Sequence, residues 1–292
     1  MISVPHFSAR TIRIALLLAA TTIAAPLLYY SIQARFAPAT TYAPVVTPSA
    51  PFIFSFNSDG ILHETGSMTE SSSPYWWVNS GAKLILKNSV GSTVQNDLPV
   101  LDAWRTRYAV SNPVDTDTGK HPQNIFRLIT KAKAGNVRVE MDFKIERDQW
   151  SSSPNRNASN GLLLMSRYVD GNTLYYAGLR VDGQAVIKKK YKGSYYTLAQ
   201  KQVYAGTYTS GGKTNLLPHG EWLTLRSETV LNADTSVTIR LYQKEGETWK
   251  KILEAKDSGQ YGGTPPISGA GHTGVRTDFM DVSFESFKME AL

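Results

Sequence analysis

The feature that most constrains the fold of this chain is a strict alternation of apolar and polar residues near its middle. Between Val137 and Glu146, five apolar side chains alternate with five charged ones. Successive side chains of a β-strand point to opposite faces of a sheet, whereas the apolar positions of an amphipathic helix recur about every 3.6 residues. The alternation therefore predicts a strand with one buried face and one solvated face.

Further apolar runs follow, and short turn sequences separate them. Asp182-Gly183 lies between two such runs, and Asp-Gly in that setting is a strong hairpin signal. The sequence shows no amphipathic helix of three turns after residue 51, so no crossover helix is available and the strands are expected to pair antiparallel. The expected strands are Val137–Glu146, Gly161–Val169, Thr173–Val181, Ala185–Tyr191, Ser194–Gln200, Trp222–Val230, Ser236–Lys244, Trp249–Asp257 and a closing run from Gly274 to Met289.

The N-terminal part of the chain differs in composition from the rest. The run Ile14–Tyr30 has 17 residues without a charge and follows Arg10 and Arg13. This length is short for a membrane-spanning helix and long for the apolar part of a cleavable signal peptide. We expect residues 1–35 to form a membrane helix that acts as a signal anchor, with a removed signal peptide as the alternative. Residues 36–51, rich in Pro, Thr and Ala, are expected to form a linker to a folded domain at 52–292.

Charge and cysteine content exclude several functions. The formal net charge is +7, but residues 1–35 carry three arginines and no acidic residue, which leaves 28 basic and 24 acidic residues for the rest. This excess is too small to indicate nucleic acid as a partner. Since the chain has no cysteine, disulfides, thiol catalysis and Cys-ligated zinc are excluded.

Four segments between Asn136 and Phe287 carry a family resemblance. They read NVRVEMDFKIE, NGLLLMSRYVDGNTLYYAGLRVDG, AVIKKKYKGSYYTLA and GHTGVRTDFMDVSFESF. They resemble the concanavalin A-like lectin/glucanase superfamily, in its laminin-G-like and 3-keto-disaccharide-hydrolase-like forms. The resemblance implies an all-β, two-sheet antiparallel jelly-roll sandwich with a concave sheet face on which saccharides lie, and structural calcium is frequent in such proteins. It implies no single activity, because lectins, hydrolases, lyases and adhesion modules share this sandwich.

Aromatic residues give the main indication of a ligand. Sugar rings stack their C–H faces on aromatic rings, and of two adjacent aromatic residues in a strand one points outward. Such pairs are Trp76-Trp77, Tyr175-Tyr176 and Tyr195-Tyr196. We therefore expect an extracytoplasmic, lectin-like module that binds a polysaccharide or other glycan, reaches the membrane through its N-terminal segment, and performs no chemistry. The predicted ligand-binding residues are Trp76, Trp77, Arg105, Arg127, Tyr176, Arg180 and Tyr195.

A uronate polysaccharide lyase is the first alternative. In such an enzyme, Arg127 would neutralise the uronate carboxylate, and His121 with Tyr175 or Tyr176 would move protons. The order of these residues differs from the motifs of known lyases on this fold. The residue types are nevertheless those that the reaction requires.

A glycoside hydrolase is a second enzymatic alternative, and a protein-binding adhesion module is a third possibility. Glu140 and Asp142 lie two residues apart and therefore on one face of the predicted strand, as a pair of catalytic carboxyl groups requires. Glu146 follows Asp142 by four residues, which departs from the spacing of laminarinase-type enzymes. A row of alternating acids and bases is also typical of a solvated strand face.

The run Lys188–Lys190 has two interpretations. Lysines on an edge strand prevent pairing with another chain, and lysines on a ligand face bind an anionic polymer. The sequence alone favours the edge strand.

The sequence requires no cofactor, and calcium is the one metal that it suggests. Asp115 and Asp117 begin a loop like that of an EF-hand, but the twelfth position is Phe126 instead of a bidentate Glu. The sequence is therefore not an EF-hand. A looser calcium site that joins Asp59 and Asp281 is the other candidate.

Overall fold

Alternating side chains organise the folded part of the chain into strands. The computed structural model describes residues 51–209 and 215–292, and the described residues contain sixteen strands, one α-helix and two short 3-10 helices. The helix α1 spans Ala103–Ser111, and the 3-10 helices span Met68–Glu70 and Pro122–Ile125. In chain order the strands are β1 (Phe52–Phe54), β2 (Gly60–His63), β3 (Trp76–Ser80), β4 (Lys83–Lys87), β5 (Val90–Ser92), β6 (Phe126–Ala134), β7 (Val137–Asp148), β8 (Gly161–Asp170), β9 (Thr173–Arg180), β10 (Gln184–Tyr191), β11 (Ser194–Gln202), β12 (Trp222–Leu231), β13 (Val237–Glu245), β14 (Thr248–Asp257), β15 (Gly271–Thr277) and β16 (Met280–Ala291).

The strands form two antiparallel sheets. The nine-stranded sheet has the order β14-β13-β12-β7-β16-β5-β4-β2, with β1 paired to β16. The seven-stranded sheet has the order β11-β10-β9-β8-β15-β6-β3. The predicted all-β, two-sheet antiparallel sandwich is confirmed.

The main core lies between the two sheets. In β7 the apolar residues of the alternation, from Val137 to Ile145, are at most 1% exposed, and the charged residues between them point to the opposite face. From the facing sheet, Leu162, Leu164 and Val275 join the same apolar cluster. Each sheet therefore has an inner apolar face and an outer face that is available for other roles.

The closing run of the sequence differs from the prediction. We expected one strand region from Gly274 to Met289, but β15 belongs to the seven-stranded sheet and β16 to the nine-stranded sheet. Between them lie Asp278 and Phe279, and the backbone of Phe279 has a φ of 54°. This left-handed turn is rare for a bulky residue, and it leads the chain from one sheet to the other.

The helix α1 is short and capped by a side chain. The carboxylate of Asp102 accepts a hydrogen bond from the backbone N–H of Trp104 at 2.8 Å, as an N-cap residue does. No helix among the described residues is long and apolar enough to cross a membrane. The predicted membrane segment, Ile14–Tyr30, lies outside the described residues.

The lysine run lies inside a sheet, so its interpretation as an edge strand is wrong. Strand β10 pairs with β9 on one side and β11 on the other, and β11 forms the edge. Lys189 points into the core, is fully buried, and lies 2.8 Å from the Asp257 carboxylate. Lys188 and Lys190 point to the outer face of the seven-stranded sheet, since neighbouring residues of a strand face opposite ways.

Candidate functional site

A groove of about 440 Å³ lies on the outer face of the seven-stranded sheet. Its floor includes Leu163 and Val186, which belong to a small apolar cluster separate from the main core. A smaller recess of about 100 Å³ adjoins it and shares several of its side chains. The shared residues are Ile125, Tyr176, Tyr195, Arg276 and Asp278.

Arg276 connects the polar groups at the centre of the groove. Its Nε donates a hydrogen bond to Asp278 Oδ1 at 2.8 Å. Its Nη1 donates to the hydroxyl oxygens of Tyr176 and Tyr195, both at 3.3 Å. The two tyrosine rings are stacked with centroids 6.3 Å apart. Strand β15 and the turn after it thus bring an arginine and a carboxylate to two tyrosines from β9 and β11.

Asp278 has one carboxylate oxygen without a hydrogen-bond partner. The residue is only 2% exposed, and its Oδ2 has no hydrogen-bond partner among the described residues. A buried carboxylate oxygen without a donor is unfavourable, so polar atoms of this kind are normally paired. Asp278 lines the groove, but its Oδ2 exposes less than 1 Å² of surface. A ligand hydroxyl in the groove would therefore supply the missing donor only after a small shift of the neighbouring side chains.

Tyr195 provides an open aromatic surface beside two cations. Its side chain is 51% exposed, and Lys190 Nζ lies 4.9 Å from the ring centroid. Burial raises the pKa of the Tyr195 phenol, but the charge and hydrogen bond of Arg276, together with Lys190, outweigh it and the pKa is lowered. Tyr176 is almost fully buried, and burial raises the pKa of its phenol.

The loop between β7 and β8 forms a wall of amide and hydroxyl side chains. Asp115 holds the loop, since its Oδ1 accepts hydrogen bonds from Ser153 Oγ at 2.6 Å and Asn155 Nδ2 at 3.0 Å. Within the loop, Asn160 Oδ1 accepts from the backbone N–H of Asn157 at 2.7 Å. The loop residues that line the groove are Asn155, Asn157, Ser159 and Asn160.

Three of the predicted site residues meet in the groove and its recess: Arg127, Tyr176 and Tyr195. Arg180 lies behind the wall, where its Nε donates to the Ala158 carbonyl at 3.0 Å and its Nη2 pairs with Asp182 at 2.7 Å. Arg180 therefore supports the loop without lining the groove.

The two tryptophans of the predicted platform lie elsewhere. Trp76 is 1% exposed and packs in the main core, so its ring is inaccessible to a sugar. Trp77 is half-buried on the outer face, where its Nε1 donates to the Thr65 carbonyl at 3.0 Å. Arg105 of α1 donates to the Leu98 carbonyl at 2.6 Å. None of these three side chains lines the groove.

The predicted lyase residues are not brought together. Tyr175 lies in the core, where its hydroxyl donates to Asp257 Oδ2 at 2.7 Å. His121 lies between Asp117 and Asp97, with ring nitrogens 2.8 and 2.7 Å from their carboxylate oxygens. Of the proposed set, only Arg127 and Tyr176 share the groove region. Tyr175 does not, because adjacent residues of β9 face opposite sides of the sheet.

The predicted hydrolase carboxylates lie on the opposite side of the sandwich. Glu140 and Asp142 point outward from β7, in the nine-stranded sheet. Glu140 Oε1 pairs with Arg226 Nη2 at 2.7 Å. Burial raises the pKa of the Asp142 carboxyl group, although hydrogen bonds with Thr224 and Ser286 counteract it. This face is a cross-strand network of charges.

The candidate calcium ligands are engaged by other protein groups. Among the described residues, no cluster of three His, Asp or Glu side chains could hold a metal ion. Asp59 accepts a hydrogen bond from the backbone N–H of Asn88, whereas Asp281 accepts one from the backbone N–H of Asn96. Asp115 and Asp117 accept hydrogen bonds from serines of the β7–β8 loop.

Sequence reasoning missed Arg276, Asp278 and the amide wall. The wall has a visible signal, because residues 151–160 read SSSPNRNASN and are dense in Ser and Asn. Arg276 and Asp278 have no such signal, since their role arises from contacts with residues distant in the chain.

No family model matches this chain, and no curated protein sequence matches it. Among solved structures, it is similar to the carbohydrate-binding module CBM66 from Bacillus subtilis, at 14% identity and a TM-score of 0.40, over 57% of this chain and 83% of that one. It is similar to the calcium-bound exoplasmic/lumenal domain of VIP36 at 11% identity and a TM-score of 0.43, over 82% of this chain and 92% of that one.

The chain is also similar to the GH43 protein BlXynB from Bacillus licheniformis, at 13% identity and a TM-score of 0.43. This match covers 85% of the present chain but 40% of that protein, so the chain spans about two fifths of its length. The two antiparallel sheets are those expected of a sandwich. At these identities and TM-scores, the similarities to solved structures assign neither a superfamily nor a function to this chain.

Proposed function

We propose that the domain binds a glycan in the groove on the outer face of the seven-stranded sheet. One observation carries the proposal: buried Asp278, whose Oδ2 has no hydrogen-bond partner among the described residues, lines the same groove as the exposed ring of Tyr195. A sugar presents hydroxyl donors and apolar C–H faces together. The carboxylate oxygen can accept from a sugar hydroxyl, and the aromatic ring can stack on a C–H face.

The rest of the groove supports this proposal. Amide side chains both donate and accept hydrogen bonds, so Asn157 and Asn160 suit the mixed polarity of sugar hydroxyls. The volume of about 440 Å³ falls within the range of roughly 300–1,000 Å³ that is usual for small-ligand sites. Side chains locked by neighbours lose little entropy on binding, and the bonds of Arg276 and Asp115 lock this site before a ligand arrives.

The neighbouring tyrosines of β11 provide the test. Tyr195 lines the groove, whereas the ring of Tyr196 packs against Gly262 and Gly263. If the full-length chain selects a glycan on an array, calorimetry should show that Tyr195→Ala weakens binding about threefold to tenfold, as the loss of an aromatic contact implies. Tyr196→Ala is the matched control and should bind normally. Equal losses in both variants, or an unchanged affinity in Tyr195→Ala, would contradict a ligand in this groove.

A uronate lyase is the second candidate, because Tyr195 has a lowered pKa beside Arg276 and Lys190. A phenolate there would remove the proton next to the uronate carboxylate, and the electron pair of that C–H bond would form the C4=C5 double bond. The C4–O bond would break with its electron pair on oxygen, which then takes up a proton. Arg127 or Arg276 would neutralise the carboxylate.

Tyr195→Phe separates the two candidates, since it keeps the ring and removes the hydroxyl. With uronate polymers as substrates, a lyase should release unsaturated products from the native chain and none from Tyr195→Phe. A binding module should yield no product from either protein, and the variant should still bind.

Presentation of the domain outside the cytoplasm is part of the proposal, and it rests on residues 1–35 alone. Protease added to intact cells should digest an exposed domain. A domain that stays protected until the cells are lysed would contradict this location.

A further inference from the structure

We propose that the groove selects an acidic oligosaccharide, with Lys188 at one end and Arg127 at the other neutralising successive anionic groups. This inference rests on the proposed function and adds the class of glycan. The inference is argued from the charged side chains that line the groove and its recess, and from the two of them that lack a partner.

Cations outnumber carboxylates in this region. Among the described residues, four cations line the groove or its recess, namely Arg127, Lys188, Lys190 and Arg276, against the two carboxylates of Asp115 and Asp278. A concave surface with an excess of one sign of charge attracts ligands of the other sign. The lining therefore favours an anionic ligand over a neutral one.

Two of these cations have neither an ion pair nor a side-chain hydrogen bond among the described residues. Arg276 pairs with Asp278 at 2.8 Å, and Lys190 Nζ donates to the Gly171 carbonyl at 2.8 Å. Lys188 and Arg127 make no side-chain hydrogen bond or ion pair with any described residue, although both are half-buried. A partly buried charge without a partner is unfavourable, and an anion on the ligand would relieve that cost.

The pairing of strands adds a repulsion that a ligand would offset. Arg127 of β6 lies directly opposite Arg276 of β15 in the register of the sheet. Like charges directly opposite on one face are destabilising. At the other end, burial lowers the pKa of the Lys188 ammonium group, and the charges of Arg180 and Arg276 lower it further.

The two cations without a partner lie on strands at opposite sides of this region. Lys188 lies on β10 and Arg127 on β6, with β9, β8 and β15 between them. Four steps between strands, each of about 4.8 Å, separate the two backbones by about 19 Å. Lys188 lines the groove and Arg127 lines the adjoining recess. The proposed ligand is therefore an oligomer that crosses the strands and presents one anionic group to each cation.

The experiment compares acidic ligands with neutral counterparts of the same length. The full-length chain is titrated with oligogalacturonate and its carboxyl-reduced form, and with dextran sulfate and dextran. We expect the acidic member of at least one pair to bind about tenfold more tightly, as charge-assisted hydrogen bonds imply. Added salt should reduce this preference, because it screens charge.

Variants locate the effect in the groove. Lys188→Gln and Arg127→Gln should each remove most of the acidic preference without lowering the melting temperature, and Lys188→Arg should restore it. Lys192→Gln is the matched control, since Lys192 lies in the turn after β10 and does not line the groove. Loss of preference in Lys192→Gln to the same extent would overturn the assignment to Lys188.

The outcomes separate this inference from the proposed function. Preference for oligogalacturonate alone identifies a carboxylate, preference for dextran sulfate alone identifies a sulfate ester, and preference for both identifies the charge itself. A neutral glycan bound as tightly as its acidic counterpart overturns the acidic inference and leaves glycan binding intact. If the chain binds none of these ligands and no glycan on an array, both the acidic inference and the proposed function are contradicted.

Discussion

At the scale of single residues, Lys189 shows how a charged side chain is accommodated in the core. Its ammonium group lies 2.8 Å from Asp257 Oδ2, which also accepts a hydrogen bond from the Tyr175 hydroxyl at 2.7 Å. The same hydroxyl accepts from the backbone N–H of Ile267 at 3.0 Å. Burial and the Asp257 charge raise the pKa of the Tyr175 phenol. The three side chains therefore form one buried unit in which each member depends on the others.

Removal of one member of this unit should be costly. Asp257→Asn leaves the Lys189 ammonium group buried without a counter-ion, and we expect a loss of about 3–5 kcal/mol in the free energy of unfolding. The double variant Lys189→Met with Asp257→Leu should lose less free energy of unfolding than the sum of the losses in Lys189→Met and in Asp257→Leu. Urea denaturation measures both effects. If the free energy of unfolding of Asp257→Asn stayed within about 1 kcal/mol of that of the native chain, the buried ion pair would be contradicted.

The lowered pKa of Lys188 predicts how affinity depends on pH. A solvent-exposed lysine loses its charge at about pH 10.4, and Lys188 should lose its charge at lower pH. Since only the ammonium form attracts an anion, affinity for an acidic oligosaccharide should fall as the pH rises through this lowered value. Besides Arg180 and Arg276, the groups that influence this lysine are Tyr195 and Asp182.

Calorimetry from neutral to alkaline pH tests this prediction. Lys188→Arg should keep its affinity to higher pH, because arginine stays protonated. Ionisation of Tyr195 would also repel an anion, so the comparison is repeated in Tyr195→Phe. An identical pH profile in all variants would contradict a role for the Lys188 charge.

At the scale of strands, the sequence predicted more of the fold than of the site. The alternation in Val137–Glu146 predicted most of β7, since one apolar residue in two has a clear structural meaning. The turn at Phe279 was not predicted, because phenylalanine does not favour a positive φ. Tyr195 was predicted from its aromatic neighbour. Arg276 was not, since its partners Tyr195 and Tyr176 lie 81 and 100 residues away in the chain.

Close contact between β8 and β9 predicts a sensitive glycine. A Cβ atom at Gly178 would lie 2.1 Å from the Leu162 carbonyl oxygen of the neighbouring strand, so the two strands would have to separate. We expect Gly178→Ala to lower the free energy of unfolding by about 1–3 kcal/mol, as overpacking does.

Gly135, in the turn between β6 and β7, is the matched control for that substitution. A Cβ atom there meets no atom within 4 Å, so Gly135→Ala should be close to neutral. Chemical denaturation of both variants makes the comparison. Equal stability of the two would contradict the close approach of β8 to β9.

At the scale of the whole molecule, one pH-sensitive contact joins two distant parts of the chain. His219 Nε2 lies 3.3 Å from Asp148 Oδ2, between the segment before β12 and the end of β7. The hydrogen bond with Asp148 raises the pKa of the His219 imidazole above that of a free histidine. The raised pKa means that this contact stabilises the fold fully below the unfolded-state pKa, at about pH 6.5, and loses its effect as the pH rises through the folded-state pKa.

The melting temperature should therefore decline slightly from about pH 6 to pH 8. The effect should be small because His219 is about one third exposed to solvent. His219→Gln should flatten this part of the profile, and Asp148→Asn should do the same. If the melting temperature of His219→Gln fell with pH as steeply as that of the native chain, the pH dependence would belong to another group.

Because Lys188 and Lys189 point to opposite sides of the sheet, mutations at the two positions have different effects. A change at Lys189 disrupts a buried ion pair, whereas a change at Lys188 or Lys190 alters the groove and leaves the core intact. Substitutions at Lys188 and Lys190 can therefore accumulate with little cost in folding. The sandwich is a scaffold on which new ligand preferences can evolve, or be engineered, one outward residue at a time.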